Sequence, residues 1–225
     1  REPVLTAKLV STIDHLSGGR TILGCGAGWM PEEFEAVGAE PFAERGRVTD
    51  EYIDIYRELW TKEEPAFDGK YRSFSNIYFS PKPVQTPHPP IWVGGESKAA
   101  MRRAVRRGDA WYPIGCNPHH SLDTLSRYSA SLDTLKSLAD EEGRDMATLD
   151  LAYWSVWTAE AGEPITLADG ERMMLSGSVD SIVDDIGAMQ ELGVTQLLFN
   201  FLAETSQETQ DRIEAFASDV LSKIK

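Results

Sequence analysis

Helix-patterned and strand-patterned stretches alternate along this chain almost without exception, and glycines stand at most of the junctions. Such alternation favours a parallel sheet with crossover helices, and right-handed crossovers reduce the options to a barrel or a doubly wound sheet. Residues 3 to 16 place Val4, Leu5, Leu9, Ile13 and Leu16 close to helical spacing. Gly18-Gly19 then closes the helix, where positive φ is tolerated. Thr21, Ile22, Leu23 and Cys25 form a β-prone run too short for a helix, and it ends among Gly24, Gly26 and Gly28.

From Arg45 to Trp60, the residues Val48, Tyr52, Ile55, Tyr56 and Leu59 repeat at three and four and predict an outer-layer helix. Residues 62 to 90 carry Pro65, Pro81, Pro83, Pro87, Pro89 and Pro90, which exclude a long helix and leave extended pieces such as 71 to 79. This stretch reads as an insertion in the surface. Ile91-Trp92-Val93 is a strand followed by Gly94-Gly95, a helix with Ala99, Ala100, Ala104 and Val105, and a strand over 109 to 112. A long helix with Leu122, Leu125, Leu132, Leu135 and Leu138 leads to a strand over 149 to 157 and a loop over 159 to 177. Ser178 is placed to cap a helix with Ile182, Val183, Ile186, Met189 and Leu192, which Gly193 stops before a strand over 196 to 201. A last helix carries Ile213, Phe216, Val220 and Ile224.

Five strands result, whereas a closed TIM barrel has eight and about 250 residues. Three βα units would be absent at the front, in accord with a chain that opens at Arg1 directly into a helical pattern; a five-stranded open sheet is the alternative. With 225 residues, 41% of them hydrophobic, a single domain over residues 1 to 225 is expected. No run approaches the roughly 20 apolar residues of a membrane span, and the N-terminus lacks a secretory layout, so a cytoplasmic protein without membrane contact is expected. Cys25 and Cys116 show no disulfide or zinc spacing. A net charge of −14 opposes binding to nucleic acid.

Five segments in order resemble the luciferase-like monooxygenase superfamily, closest to its coenzyme F420-dependent oxidoreductase branch. They are PVLTAKLVSTIDHLSGGR, LGCGAGWMPEEFEAVG, FAERGRVTDEYIDIYRELW, SPKPVQTPHPPIWVGGES and RRGDAWYP, with a weaker echo in SGSVDSIVDDIGAMQELGVTQLLF. LSGGR alone also occurs in the signature of ABC ATPases, but no Walker A loop is present. The resemblance implies an α/β fold, the TIM (β/α)8 barrel of the bacterial-luciferase type, without its first three βα units. In the family, the helix ending in LSGGR precedes the fourth barrel strand, which matches the strand count.

Barrel chemistry sits where strands end on the C-terminal face. The first such group is Gly26, Ala27, Gly28 and Trp29: the glycines let a planar ring lie close to the backbone, and Trp29 could form a wall. The alternative is that these glycines only turn the chain. Sugar-phosphate-oxidising relatives carry a carboxylate proton donor where Trp29 falls, and flavin-binding luciferases carry an arginine near Ala27. Both are absent, which disfavours a sugar phosphate and puts F420 ahead of tightly held FMN. Glu32 and Glu33 at a helix start serve the macrodipole more readily than catalysis.

The second group is Gly94, Gly95, Glu96, Ser97 and Lys98, where a strand entering a helix offers backbone N–H groups to a phosphate. The resemblance puts the cofactor phosphate here, and the Ser176 to Ser178 stretch competes for it. Arg102, Arg103, Arg106 and Arg107 fit helix-end and surface roles better than the cofactor's acidic tail. The third group is Asp109, Trp111, Tyr112 and Pro113; Trp111 either borders the ring or packs in the core. His15, His88, His119 and His120 lack metal or catalytic spacing, so no metal is expected and no catalytic acid or base is assigned.

The expected activity is therefore hydride transfer between F420 and a small organic substrate. An FMN-dependent luciferase-like monooxygenase and a nonenzymatic flavin-binding barrel relative are the alternatives. The expected partners are the small-molecule substrate and a second copy of the chain, as a homodimer.

Overall fold

The computed structural model describes residues 1–156 and 161–224, and outside residues 31–90 α-helix and strand alternate along them. The elements are α1 (Pro3–Ser17), β1 (Leu23–Cys25), α2 (Pro31–Ala36), α3 (Arg45–Thr61), β2 (Phe67–Asp68), β3 (Ser73–Phe74), β4 (Ile91–Gly94) and α4 (Lys98–Arg107). They continue with β5 (Ala110–Tyr112), α5 (Leu125–Glu142), β6 (Asp150–Ser155), α6 (Val179–Glu191), β7 (Val194–Phe199) and α7 (Ser206–Asp219). Trp157, the expected end of the strand read over 149 to 157, and residues 159 and 160 of the expected loop lie outside the described residues.

The hydrogen-bonded strand order is β1-β4-β5-β6-β7. β1 runs parallel to β4 in the register Leu23↔Ile91 to Cys25↔Val93. β6 runs parallel to β7 from Leu151↔Val194 to Ser155↔Phe199, with a register shift after Leu151. Parallel neighbours are what alternating helices and strands require, because each crossover helix returns the chain to the starting end of the sheet. The proline-rich stretch, read as extended, contains a separate antiparallel hairpin, with Phe67↔Phe74 and Asp68↔Ser73.

The chain gathers into two compact units, Arg1–Gly95 with Ala99–Ala110, and Glu96–Lys98 with Trp111–Lys225. In the first, α3 buries Val48, Ile53, Ile55, Tyr56, Leu59 and Trp60, and each buried Ile or Leu stabilises the fold by about 1.5–3 kcal/mol. α1 has the helical span read from sequence but a different buried face. Leu5, Leu9, Ile13 and Leu16 are exposed, while Ala7, Val10, Ser11 and Asp14 are buried.

The reason is polar. The Asp14 carboxylate accepts from the Val84 N–H at 2.8 Å, the Gln85 N–H at 3.0 Å and Gln85 Nε2 at 2.7 Å. Ser11 donates to the Pro81 carbonyl at 2.8 Å, and Trp60 Nε1 donates to the Ala7 carbonyl at 3.1 Å. Lys82 Nζ reaches the Leu59 carbonyl at 2.7 Å, so the proline-rich stretch is tied to both helices and Phe79 on it is buried. Polar groups that leave water need partners, and these bonds fix which side of α1 turns inward.

In the second unit, α5 buries Tyr128, Leu132, Leu135 and Leu138. Tyr128 stacks on Trp111 with ring centroids 5.8 Å apart and meets Tyr153 edge-on at 5.4 Å. Tyr153 donates its hydroxyl to the Leu122 carbonyl at 2.8 Å. On α6, buried Asp185 accepts from two guanidinium nitrogens of Arg172, at 2.6 and 2.8 Å, and from the Leu175 N–H at 2.6 Å, both residues lying in the loop before the helix. Ser178 caps α6 as expected, accepting from the Ser181 N–H at 3.1 Å.

Candidate cofactor site

The residues after β1 form an open turn. A Cβ on Gly26 would meet nothing within 4 Å. Gly28 has φ +82°, and a Cβ there would lie 2.7 Å from the Phe34 ring, so only glycine fits. Ala27 is half-buried, and Trp29 is 83% exposed. Burial pushes the Cys25 thiol up to about 12, against the pull of the Arg103 charge, so it stays protonated at neutral pH. Glu32 and Glu33 fall in the first turn of the six-residue α2, where they suit the dipole.

The β4 to α4 junction is tighter. Gly95 has φ +113°, and a Cβ there would stand 2.8 Å from the Ala100 Cβ, so the chain turns here only because the residue has no side chain. Gly94 ends β4. The glycines read from sequence as turn-formers and as a cradle thus have a conformational requirement at Gly28 and Gly95 that is independent of any ligand.

In the second unit, Glu96 is buried, with its carboxylate accepting from the Ile114 N–H at 2.8 Å and from Asn117 Nδ2 at 2.5 Å. Ser97 follows it into α4. Trp111 is fully buried against Tyr128 of α5. Alternation along a strand sends its neighbour to the opposite face, and there Tyr112 stacks on Trp154 of β6, with centroids 6.4 Å apart and planes 18° apart. Tyr112 is half-buried, Trp154 is 37% exposed, and burial raises the Tyr112 phenol. Of the aromatic residues in GDAWY, Trp111 therefore packs toward the helix and Tyr112 carries the accessible ring. Trp154 does not stand out in sequence, because only the register of β6 decides which of Tyr153 and Trp154 faces α5.

Other sequence candidates fall into structural roles. Ser176 donates to the Met173 carbonyl at 2.6 Å and accepts from the Ile165 N–H at 3.1 Å, while Ser178 is occupied as a cap. Arg103 binds Asp50 at 2.6 Å and the Gly46 carbonyl at 2.9 Å, and Arg107 binds Asp54 at 2.9 Å, so these two arginines join α4 to α3. Asp109 stands at the strand-entry end: its N–H donates to the Ile91 carbonyl at 2.7 Å and its carboxylate accepts from the Ile91 N–H at 2.8 Å. Grouping it with strand-end residues is corrected by that pairing. His15 meets the Lys82 carbonyl at 2.7 Å, and His88 lies 3.9 Å from Asp109. Among the described residues no cluster of His, Cys, Asp or Glu could hold a metal ion, and no helix is long and apolar enough to cross a membrane.

Residues 1–156 match the model of the luciferase-like monooxygenases. The chain belongs to that family. It is 29% identical to the FMNH(2)-dependent dimethylsulfone monooxygenase of Pseudomonas putida, over 99% of this chain and 71% of that enzyme. It is also 29% identical to the uncharacterised protein Rv0953c of Mycobacterium tuberculosis, over 96% of this chain and 65% of that protein. Among solved structures, monooxygenase RslO1 from Streptomyces bottropensis superposes with a TM-score of 0.77 at 19% identity, over 99% of this chain and 74% of that one. An F420-dependent secondary alcohol dehydrogenase in complex with an F420-acetone adduct gives 0.74 at 16% identity, over 100% and 76%. These likenesses bear out the α/β luciferase-like barrel fold expected from the sequence, and those of the relatives whose activity is named are monooxygenases or a dehydrogenase.

Proposed function

We propose that this luciferase-like protein binds coenzyme F420 and transfers a hydride between it and a small organic molecule. The observation that carries the reading is the Tyr112–Trp154 pair, two nearly parallel, partly accessible rings at the strand ends, in the same unit as the Glu96–Ser97 turn. A flat apolar wall of this kind suits a tricyclic ring, and the backbone N–H groups of a strand-to-helix turn suit a phosphate.

In this reading Tyr112 and Trp154 orient the ring, and the raised Tyr112 phenol stays neutral so that no charge builds beside it. Ser97, in the same unit as the ring pair, belongs to the phosphate-binding turn. When bound, F420 supplies the hydride donor or acceptor, and the protein supplies orientation and exclusion of water. Ala27 favours F420, because flavin-binding luciferases carry an arginine near this position. A second reading, an FMNH(2)-dependent monooxygenase, is favoured by the Pseudomonas putida relative.

Titrating the protein with F420 and separately with FMN, with cofactor fluorescence as the readout, distinguishes the two. Saturable quenching of F420 alone is expected, and Trp154→Ala should raise its Kd about tenfold through loss of ring contact. Quenching of FMN alone selects the second reading, and binding of neither removes both.

A further inference from the structure

Glu96 sits in the turn that resembles a cofactor cradle, yet both of its oxygens are engaged by the protein. One accepts from the Ile114 N–H and the other from Asn117 Nδ2. We infer that Glu96 is a positioning residue, which acts through Ile114 and Asn117 to hold the Tyr112–Trp154 ring pair rather than by touching a ligand.

The ladder geometry leads to this conclusion. Ile114 pairs with Trp154 in a parallel bridge. The Trp154 N–H donates to the Pro113 carbonyl at 3.1 Å, and the Gly115 N–H donates to the Trp154 carbonyl at 3.1 Å. In a parallel ladder, a residue embraced by its two neighbours' bonds directs its own N–H to the other side. That donor needs an acceptor, because a buried unpaired N–H is costly. Glu96 supplies it at 2.8 Å, with the strength of a charged acceptor.

The second oxygen extends the hold along the chain. Asn117 Oδ1 accepts from the His119 N–H at 3.0 Å, the Asn117 carbonyl from the His120 N–H at 3.2 Å, and the Gly115 carbonyl from the Leu122 N–H at 2.9 Å. One buried carboxylate thus anchors residues 114 to 122, and this segment clasps the backbone of Trp154. Loss of the anchor would free Ile114 and let the Trp154 ring leave its stacking geometry.

The chemistry of the pair permits an exchange test. In Glu96→Gln, the new amide nitrogen faces Asn117 Nδ2, donor against donor; in Asn117→Asp, two carboxylates face each other. The double variant Glu96→Gln with Asn117→Asp restores a donor opposite an acceptor, keeps the Ile114 acceptor and preserves the net charge. Amide hydrogen exchange of residues 113–122 is read without any ligand, and the Kd is read with F420 and FMN as probes. The cofactor arm rests on the proposed function; the exchange arm does not.

Each single variant should raise exchange in 113–122 and weaken binding of the accepted cofactor about tenfold, and the double should return both to within about threefold of wild type. Singles without effect on exchange overturn the inference. So does a double variant whose exchange recovers while its cofactor affinity does not, because Glu96 would then touch the ligand itself. If the wild type binds neither probe, the proposed function fails, and the exchange pattern alone still supports or overturns the positioning role.

Discussion

Several single side chains here are fixed by one hydrogen bond or by the lack of one. Tyr128 is fully buried, stacks on Trp111 and meets Tyr153 edge-on, and its hydroxyl has no partner among the described residues. An orphaned buried hydroxyl forfeits its hydration without return, at about 1–3 kcal/mol. Tyr128→Phe is therefore expected to leave stability unchanged or raise it by up to about 1 kcal/mol, measured by urea unfolding; a loss of that size would reveal a partner for the hydroxyl. Trp111 and Tyr112 make the complementary point. Adjacent in sequence and both aromatic, they differ in role only because strand alternation gives one the helix side and the other the side of Trp154.

Elements in this chain are held by polar ties as much as by apolar faces. α3 presents Asp50 and Asp54 to α4, which answers with Arg103 and Arg107. Arg103 is 8% exposed, so its removal leaves Asp50 and the Gly46 carbonyl without their donor in a partly buried setting. Arg103→Ala is expected to cost about 2–4 kcal/mol and lower the thermal midpoint, whereas the same change at exposed Lys136, whose Asp133 contact is 3.7 Å, should cost under about 1 kcal/mol. Sequence periodicity located all of these helices within a few residues. It did not locate the buried side of α1, since Leu5, Leu9, Ile13 and Leu16 form the better apolar stripe and yet face outward. The bonds from Asp14 and Ser11 to residues 81 to 85 join positions some 70 apart, and no local pattern announces them.

At the scale of the whole molecule, the acidic composition sets the response to pH. Hydrogen bonds from Arg47, Lys70 and Tyr71 hold Glu44 down from 4.5 to about 2. Burial pushes Asp14 and Asp123 up, but hydrogen bonds to Gln85 and Val84, and to Ser121 and Arg127, more than offset it, so both carboxyls end below their ordinary 3.8. A depressed carboxyl stabilises the fold above its unfolded pKa, and that contribution is lost as pH falls through the folded value. Unfolding free energy should therefore decline from about pH 4.5 toward pH 2, and Glu44→Gln should flatten part of that decline in urea titrations across this range. The sequence by itself determined the alternation of elements, the parallel α/β class, the family and the glycine turns, because those follow from local periodicity, backbone conformation and short ordered motifs. Only the tertiary structure decided which face of α1 is buried, that Glu96 spends its carboxylate on Ile114 and Asn117, and that Tyr112 and Trp154 share a stack. Each of those depends on strand register and on partners far away in the chain.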